Sequence, residues 1–201
     1  MTKNRLESCS DGVFAIVITL LVLDIKLPEG NAAGLSQALM ESLPRIAAYV
    51  MSFAIIGLYW ISHHRSFELI AKVDGAVFWL NLLLLLLVSF IPFPTALLGR
   101  YPYEALPIVI YGLTLLACNA AGLGLMYYLL RHPHLVAQEH RRDSLLRQFP
   151  LRLIVIVNAG YLMAVLLAGV APLASYVLLM MTLVGLIARI VKFELGEGIK
   201  P

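Results

Sequence analysis

Six apolar segments follow one another along the chain, separated by charged residues, proline and glycine. After the opening segment, residues 5–26, each is close to the twenty or so residues that an α-helix needs to cross a bilayer. Pro172, with Gly169 just before it, separates the last two. These later segments cover approximately residues 45–62, 76–98, 105–130, 151–168 and 174–190. The pattern predicts an all-α membrane protein with six transmembrane helices.

The opening segment carries a narrow apolar stripe at helical spacing. Its members lie four, four, three and four residues apart, which places them on one face of an α-helix. They are Gly12, Ile16, Leu20, Leu23 and Leu27. Thr19 lies at the margin of the stripe, and Asp11 lies on roughly the opposite face. The simplest interpretation of the stripe is packing against neighbouring helices or lipid.

Asp11 is the unusual polar residue of this segment. The helix between Asp11 and Asp24 is only about 20 Å long, whereas a hydrocarbon core is about 30 Å thick. The stretch from Arg5 to Lys26 is about 32 Å long and does match a membrane. A spanning helix here therefore places Asp11 at membrane depth and Asp24 near one edge. An acid at such a depth must face protein or water, and it indicates a functional site.

Composition and charge support insertion in a membrane and fix an orientation. The chain has 201 residues, of which 61% are hydrophobic and 13% charged, far from the balance of a soluble domain. Twelve of its 15 lysines and arginines lie on the side of the two termini. The positive-inside rule then places both termini in the cytoplasm, which requires an even number of spans. The net charge of +3 reflects this topology and indicates no nucleic-acid partner.

Two histidines, His63 and His64, end the second segment. Metal binding together with Glu68 is disfavoured, because adjacent histidines point apart on a helix. The alternatives are a hydrogen-bonding or proton-sensing partner for Asp11, and a plain cap of the helix end. The later segments carry one amide each, which predicts interhelical hydrogen bonds. These amides are Asn81, Asn119 and Asn158.

Motifs of catalysis are absent from the sequence. It has no phosphate-binding glycine loop, no nucleophile elbow and no metal-binding array, so we expect neither an enzyme nor a cofactor. It also lacks the T-V-G-Y-G filter of common potassium channels. Because one helix cannot enclose a pathway, a pore lined by the opening helix requires several copies around a symmetry axis.

The opening residues resemble a known family. Arg5 followed by SDGVFAIVITLLVLDIK is similar to the R-x-x-x-F-S-D signature of the endolysosomal potassium-channel family, transmembrane protein 175, in its short prokaryotic form. The similarity continues into WISHHR on the second segment and into the N-L-L…PFP pattern from Asn81 to Pro94. The phenylalanine of the signature is replaced here by Cys9, and we expect the loss of the ring to alter either packing or gating at the cytoplasmic mouth.

The resemblance implies a homotetramer in which the first helix of each subunit lines a central pore. Layers of apolar side chains form the constriction, and potassium is favoured over sodium. On this sequence the constriction falls on Ile16, Leu20 and Leu23, with a hydroxyl layer at Thr19. Potassium would pass along these four residues transiently.

The resemblance also implies a buried polar network that holds the pore helix. Its members here are Arg5, Ser10, Asp11, Trp60 and one of His63 or His64. Two further acids, Asp24 and Glu29, lie near the expected outer mouth. They either concentrate cations there or are ordinary solvated charges at a loop end.

We therefore predict a potassium-selective channel, built as a single six-helix transmembrane domain over residues 1–201, in a prokaryotic plasma membrane. Its partners are potassium ions, the lipid bilayer and further copies of the chain. The alternative is a proton-coupled small-molecule transporter that uses Asp11 and a histidine as its relay. A third possibility is a membrane scaffold that transports nothing.

Overall fold

The computed structural model describes residues 2–26, 34–137 and 151–197, without the side chains of 151–153, 183 and 186–197. A 3₁₀ turn, Leu21–Asp24, continues the first helix, and another, Pro133–Leu135, follows the fifth. The helices are α1 (Lys3–Leu20), α2 (Leu35–Glu68), α3 (Gly75–Phe90), α4 (Pro92–Arg100), α5 (Ala105–Arg131), α6 (Leu151–Leu167) and α7 (Pro172–Glu197). The prediction of an all-α fold is confirmed.

Several of these helices are long and apolar enough to cross a membrane, so this is a multi-pass membrane protein. Within the described residues there are four such candidates. They are Lys3–Asp24, Leu35–Glu68, Gly75–Arg100 and Ala105–Arg131. The apolar parts of the last two helices, Ile154–Leu167 and Pro172–Thr182, are shorter.

Helix α2 is much longer than the sequence pattern predicts. We expected a loop over residues 28–44, with a short separate helix around residues 35–43, and a span over 45–62. The structure instead has one helix of 34 residues from Leu35 to Glu68. Pro44 lies inside it and removes only one backbone hydrogen bond. The polar residues before Pro44 hid this continuity, because they resemble a loop in the sequence.

The two prolines of the third segment interrupt its helix, as predicted. Helix α3 ends at Phe90, and α4 begins at Pro92 with Ile91 between them. A proline lacks the N–H that would continue the backbone ladder, and its ring displaces the preceding turn. Thr95 stabilises the junction, because its hydroxyl donates to the carbonyl of Ile91 at 2.8 Å. Helices α3 and α4 therefore form one interrupted rod.

A buried apolar core joins all the helices. Helix α1 packs against α2 and α3, while α5 packs against α3 on one side and α6 on the other. Helices α2 and α4 approach so closely that a Cβ atom added to Gly99 would lie 2.9 Å from the Cα atom of Arg45. Only glycine fits at that crossing. Core side chains include Phe14, Ile56, Leu98, Tyr111 and Leu115.

A second apolar cluster closes the end of the molecule where α1 begins. It includes Leu6 of α1, Phe67 of α2 and Leu129 of α5. Two loop segments are joined there by backbone pairing. The N–H of Ala71 donates to the carbonyl of Leu135 at 2.7 Å, and the N–H of Ala137 donates to the carbonyl of Leu69 at 2.9 Å. The chain that follows α5 is thus attached to the end of α2.

Asp74 caps helix α3 and provides a test of this end of the fold. Its carboxylate accepts from the N–H of Val77 at 2.9 Å and from the hydroxyl of Tyr128 at 2.7 Å. The hydrogen bond from Val77 is the main cause that lowers the pKa of Asp74. We expect Asp74→Ala to reduce the free energy of unfolding by about 1 kcal/mol at neutral pH, measured by thermal unfolding in detergent.

The pH dependence of this effect follows from the lowered pKa. The stabilisation is complete above the pKa of an unfolded aspartate, about 3.9. It is lost as the pH falls through the lower pKa of the folded protein. Asp74→Asn is the matched control, because asparagine caps helices equally well without a charge. An alanine variant as stable as the wild type at neutral pH would contradict the capping role.

Candidate pore helix and its polar network

Helix α1 presents two different faces. One face packs against α2 and α3, and its buried residues are spaced four, four, three and four positions apart. The residues of this face are Leu6, Ser10, Phe14, Val17 and Leu21. The packing face and the apolar stripe found in the sequence both follow the helical period, but they consist of different residues and lie on different faces of α1.

The stripe lies on a different, exposed face of α1 and of the turn that follows it. Ile16 is 60% exposed, Leu20 45% and Leu23 66%. Gly12 and Thr19 are exposed as well, whereas Leu27 lies outside the described residues. In a membrane, an apolar face of this kind must contact either lipid or another copy of the chain.

Thr19 is the hydroxyl-bearing residue of the exposed face. Its hydroxyl donates to the carbonyl of Ile16 at 2.8 Å. The proton of the hydroxyl is thereby directed into the helix, and the oxygen lone pairs are directed away from it. Such an oxygen can accept a partly dehydrated cation without breaking any bond of the helix.

A buried chain of hydrogen bonds holds the other face of α1. His63 on α2 is 3% exposed, and its Nε2 atom lies 2.7 Å from Oδ1 of Asn81 on α3. The amide of Asn81 donates to the hydroxyl of Ser10 at 3.1 Å, and this hydroxyl donates to the carbonyl of Leu6 at 2.9 Å. Three helices thus meet at one polar junction inside an apolar core.

Asp11 is held separately, at the edge of this junction. Nε1 of Trp60 on α2 donates to its carboxylate at 2.9 Å. His64 is exposed, not buried, and lies 3.6 Å from Glu7 and 3.5 Å from Glu68. Arg5 is exposed as well, and no hydrogen bond or ion pair joins it to another residue of the described chain. The structure thus brings Ser10, Asp11, Trp60 and His63 to one region and leaves Arg5 and His64 at its surface.

Asn81 is the residue of the junction that sequence reasoning did not include. It was expected to form an interhelical hydrogen bond, but not to join the polar network. A signal was available, since Asn81 opens a run of leucines and an unpaired amide in such a setting is costly. Its partners lie 18 and 71 residues away in sequence, which no local pattern can reveal.

The other two predicted amides form a second polar chain on the far side of α2. The hydroxyl of Tyr59 donates to Asn119 on α5 at 2.9 Å. The amide of Asn119 donates to Asn158 on α6 at 3.2 Å, and Asn158 donates to the carbonyl of Ile154. This chain connects α2 to the outer helices, as the sequence predicts for interhelical amides.

Of the two acids predicted at the outer mouth, one lies within the described residues. Asp24 is exposed at the end of the turn that follows α1, and Glu29 lies outside the described residues. Among the residues that the structure describes, no group of three or more His, Cys, Asp or Glu side chains could hold a metal ion.

The contact between Trp60 and Asp11 can be tested without disturbing the packing. We expect Trp60→Phe to lower Tm by about 2–4 °C, which corresponds to about 1 kcal/mol for one hydrogen bond in a chain of this size. The chain has only two tryptophans, and Trp79 is the matched control. It is exposed and makes an edge contact with Phe78, so Trp79→Phe should change Tm by less. Equal shifts for the two variants would contradict a stabilising role for the bond to Asp11.

Comparison with known proteins extends these observations to a family. A family model described as endosomal/lysosomal potassium channel TMEM175 matches residues 5–92. A protein named potassium channel from Streptomyces collinus is 44% identical over 138 residues, which cover 66% of this chain and 67% of the relative. The crystal structure of a lysosomal potassium-selective channel TMEM175 homolog from Chamaesiphon minutus matches with a TM-score of 0.80 at 34% identity. This match covers 93% of this chain and 97% of the other.

Animal relatives are longer and more distant. The endosomal/lysosomal proton channel TMEM175 of Danio rerio is 28% identical over 185 residues, which cover 89% of this chain but 35% of the relative. The resemblance first drawn from the opening motif is thus confirmed by sequence and by structure. The chain belongs to the TMEM175 family.

Proposed function

We propose that this chain is a potassium-selective channel whose pathway is lined by α1 from four copies. The observation that carries the proposal is the exposed stripe of Ile16, Leu20 and Leu23, which faces away from every helix that α1 packs against. The relative from Streptomyces collinus is named a potassium channel, and the Chamaesiphon minutus homolog is described as potassium-selective. Membership in this family also assigns the chain to channels and not to enzymes.

The proposed architecture is one domain over residues 1–201 with six membrane crossings and both termini in the cytoplasm. Helices α6 and α7 would supply the last two crossings. Helix α6 has 17 residues and is about 26 Å long, close to the thickness of a hydrocarbon core. The distribution of lysine and arginine supports the orientation. The membrane would be a prokaryotic plasma membrane, since the Streptomyces and Chamaesiphon relatives are bacterial.

The proposed constriction consists of successive apolar layers. Ile16 and Leu20 are about 6 Å apart along a helix axis, and Leu20 and Leu23 about 4.5 Å. A ring of four such side chains excludes water, and it passes ions only when it widens or becomes wet. Thr19 supplies hydroxyl oxygens between the layers, and potassium would pass these four residues transiently. Asp24 and Glu29 would raise the local cation concentration at the outer mouth.

The proposed polar network holds α1 in place behind the constriction. Ser10, Asp11, Trp60 and His63 supply its contacts, together with Asn81. Arg5 and His64 would join it only at the surface of the protomer, where neighbouring subunits or lipid headgroups meet it. The role of Asp11 is then to anchor the helix and not to bind the ion.

The transporter alternative requires a relay between Asp11 and a histidine. The contacts of the described residues do not favour such a relay. Asp11 accepts a hydrogen bond from Trp60, His63 is bonded to Asn81, and His64 faces two glutamates. A proton that left Asp11 would therefore find no histidine bonded to it.

A planar-bilayer recording with potassium on one side and sodium on the other tests the function directly. We expect discrete conductance with a reversal potential that favours potassium. A pH gradient added in separate recordings measures any proton current. Saturable, pH-driven uptake without conductance would instead establish the transporter, and an oligomer that conducts nothing would establish the scaffold.

A further inference from the structure

A cavity of about 100 Å³ lies beside the polar junction, since His63 belongs to both. It is bounded by α2, α3, α5 and α6. One wall is polar and the rest is apolar. The polar wall consists of Tyr59, Ser62, His63, Ser66 and Asn119. The two polar chains described above therefore both reach this cavity, one through His63 and the other through Tyr59 and Asn119.

A buried atom of His63, one of the residues that line the cavity, lacks a hydrogen-bond partner. Asn81 uses its amide nitrogen as donor to Ser10, so its Oδ1 atom is the acceptor for Nε2 of His63. Nε2 therefore carries the ring proton, and Nδ1 is an acceptor with a free lone pair. Nδ1 of His63 is buried and has no partner among the described residues. A buried acceptor of this kind requires a donor.

Several neighbouring protein donors are already engaged. The hydroxyl of Ser66 donates to the carbonyl of Ser62 at 2.8 Å. The hydroxyl of Tyr59 donates to Asn119, and the amide of Asn119 donates to Asn158. Among the described residues that line the cavity, the hydroxyl of Ser62, the thiol of Cys118 and the second amide hydrogen of Asn119 remain as protein candidates. The other source is a small molecule inside the cavity.

We propose that the cavity is a hydration site, in which a bound water donates a hydrogen bond to Nδ1 of His63. A water needs about 10–15 Å³ of such space and two to four polar partners, so the cavity has room for several. Waters there would connect the His63–Asn81–Ser10 chain to the Tyr59–Asn119–Asn158 chain. The helix α1 would then be joined to α6 through one continuous polar path across the protein. This inference does not depend on what passes along α1.

Gly122 allows the cavity to be filled from one wall. It lines the cavity, and a Cβ atom added to it would meet nothing within 4 Å. If the cavity holds water, Gly122→Leu displaces it, leaves Nδ1 without a donor and lowers Tm by at least about 3 °C. If the cavity is dry, the added apolar side chain fills it and raises Tm, which would overturn the proposal.

A control separates this effect from that of the glycine itself. Gly124 lies on the same helix, and a Cβ atom there would make an ordinary contact of 3.9 Å with Leu80. Gly124→Ala and Gly122→Ala both add a methyl group and restrict the unfolded chain, so both should raise Tm slightly. We therefore expect Gly122→Ala to raise Tm and Gly122→Leu to lower it. A rise in Tm with both variants would also overturn the proposal.

Nitrogen NMR of ¹⁵N-histidine-labelled protein tests the contact directly. The chain has five histidines, and His63→Gln identifies the His63 signals because it removes Nδ1. We expect Nδ1 to show the shift of a hydrogen-bonded acceptor and magnetisation transfer from water, both unchanged in Ser62→Ala. Loss of the hydrogen-bonded shift in Ser62→Ala, or in the parallel variant Cys118→Ala, would assign the donor to the side chain that was removed. That result, or an Nδ1 signal without transfer from water, would contradict the hydration site.

Discussion

Leu23→Asn is expected to increase potassium flux by at least about tenfold and to reduce the preference for potassium over sodium. Leu23 is the most exposed of the three proposed constriction residues, so its replacement disturbs the packing of the protomer least. Asparagine keeps a similar size but attracts water, which removes part of the barrier that an apolar ring presents to ions. A tenfold change needs about 1.4 kcal/mol, which is only about 0.4 kcal/mol from each of four subunits.

The measurement is potassium and sodium flux into liposomes, normalised to the amount of inserted protein. Leu86→Asn is the matched control, because Leu86 lies on α3 and is 64% exposed, against 66% for Leu23. It introduces the same polar group on a face that the proposed pathway does not use. Unaltered flux in Leu23→Asn, or an equal change in the control, would refute the assignment of the pore to α1.

Asn81→Leu should be the most destabilising of the single substitutions considered for the polar junction. Asn81 is fully buried, and leucine cannot accept from His63 or donate to Ser10. A buried donor on His63 is then left unpaired, which costs about 2 kcal/mol and lowers Tm by about 4–8 °C. Because Ser10 lies on α1, the orientation of the proposed pore helix changes as well, and flux should change with it.

A double-mutant cycle distinguishes the lost bond from a general packing defect. His63→Phe combined with Asn81→Leu replaces both partners by apolar groups, so the pair should cost less than the sum of the two single variants. Asn158→Leu serves as the comparison for flux. Asn158 lies in the outer polar chain, and its hydrogen bonds join it to α5 and α6 and not to α1. Additive losses in the cycle would show that the hydrogen bond itself contributes little.

The part of the site that could be predicted from the sequence is the part governed by helical period. The stripe of Ile16, Leu20 and Leu23 and the position of Asp11 away from it follow from the geometry of one helix. The break near Pro92 follows equally from one residue's chemistry. Such features need only local sequence, and the structure agrees with them.

The remainder depends on which helices become neighbours. The bond between His63 and Asn81 and the choice of His63 over His64 depend on how α2 and α3 both pack against α1. Adjacent histidines look equivalent in the sequence, but one faces the core and the other faces two glutamates. The length of α2 was missed because the polar residues before Pro44 resemble a loop, whereas the structure continues the helix through them and through the proline.

The length of α2 has a mechanical consequence. At about 1.5 Å per residue its 34 residues span about 51 Å, about 20 Å more than the thickness of a hydrocarbon core. Trp60 and His63, the residues that hold α1, lie near one end of this rod, and Leu35 begins the other. The Leu35 end is packed as well, since Ala38 and Ser42 are buried and α2 contacts the 3₁₀ turn that follows α1. One helix therefore holds α1 near Asp11 and also contacts the turn at its far end.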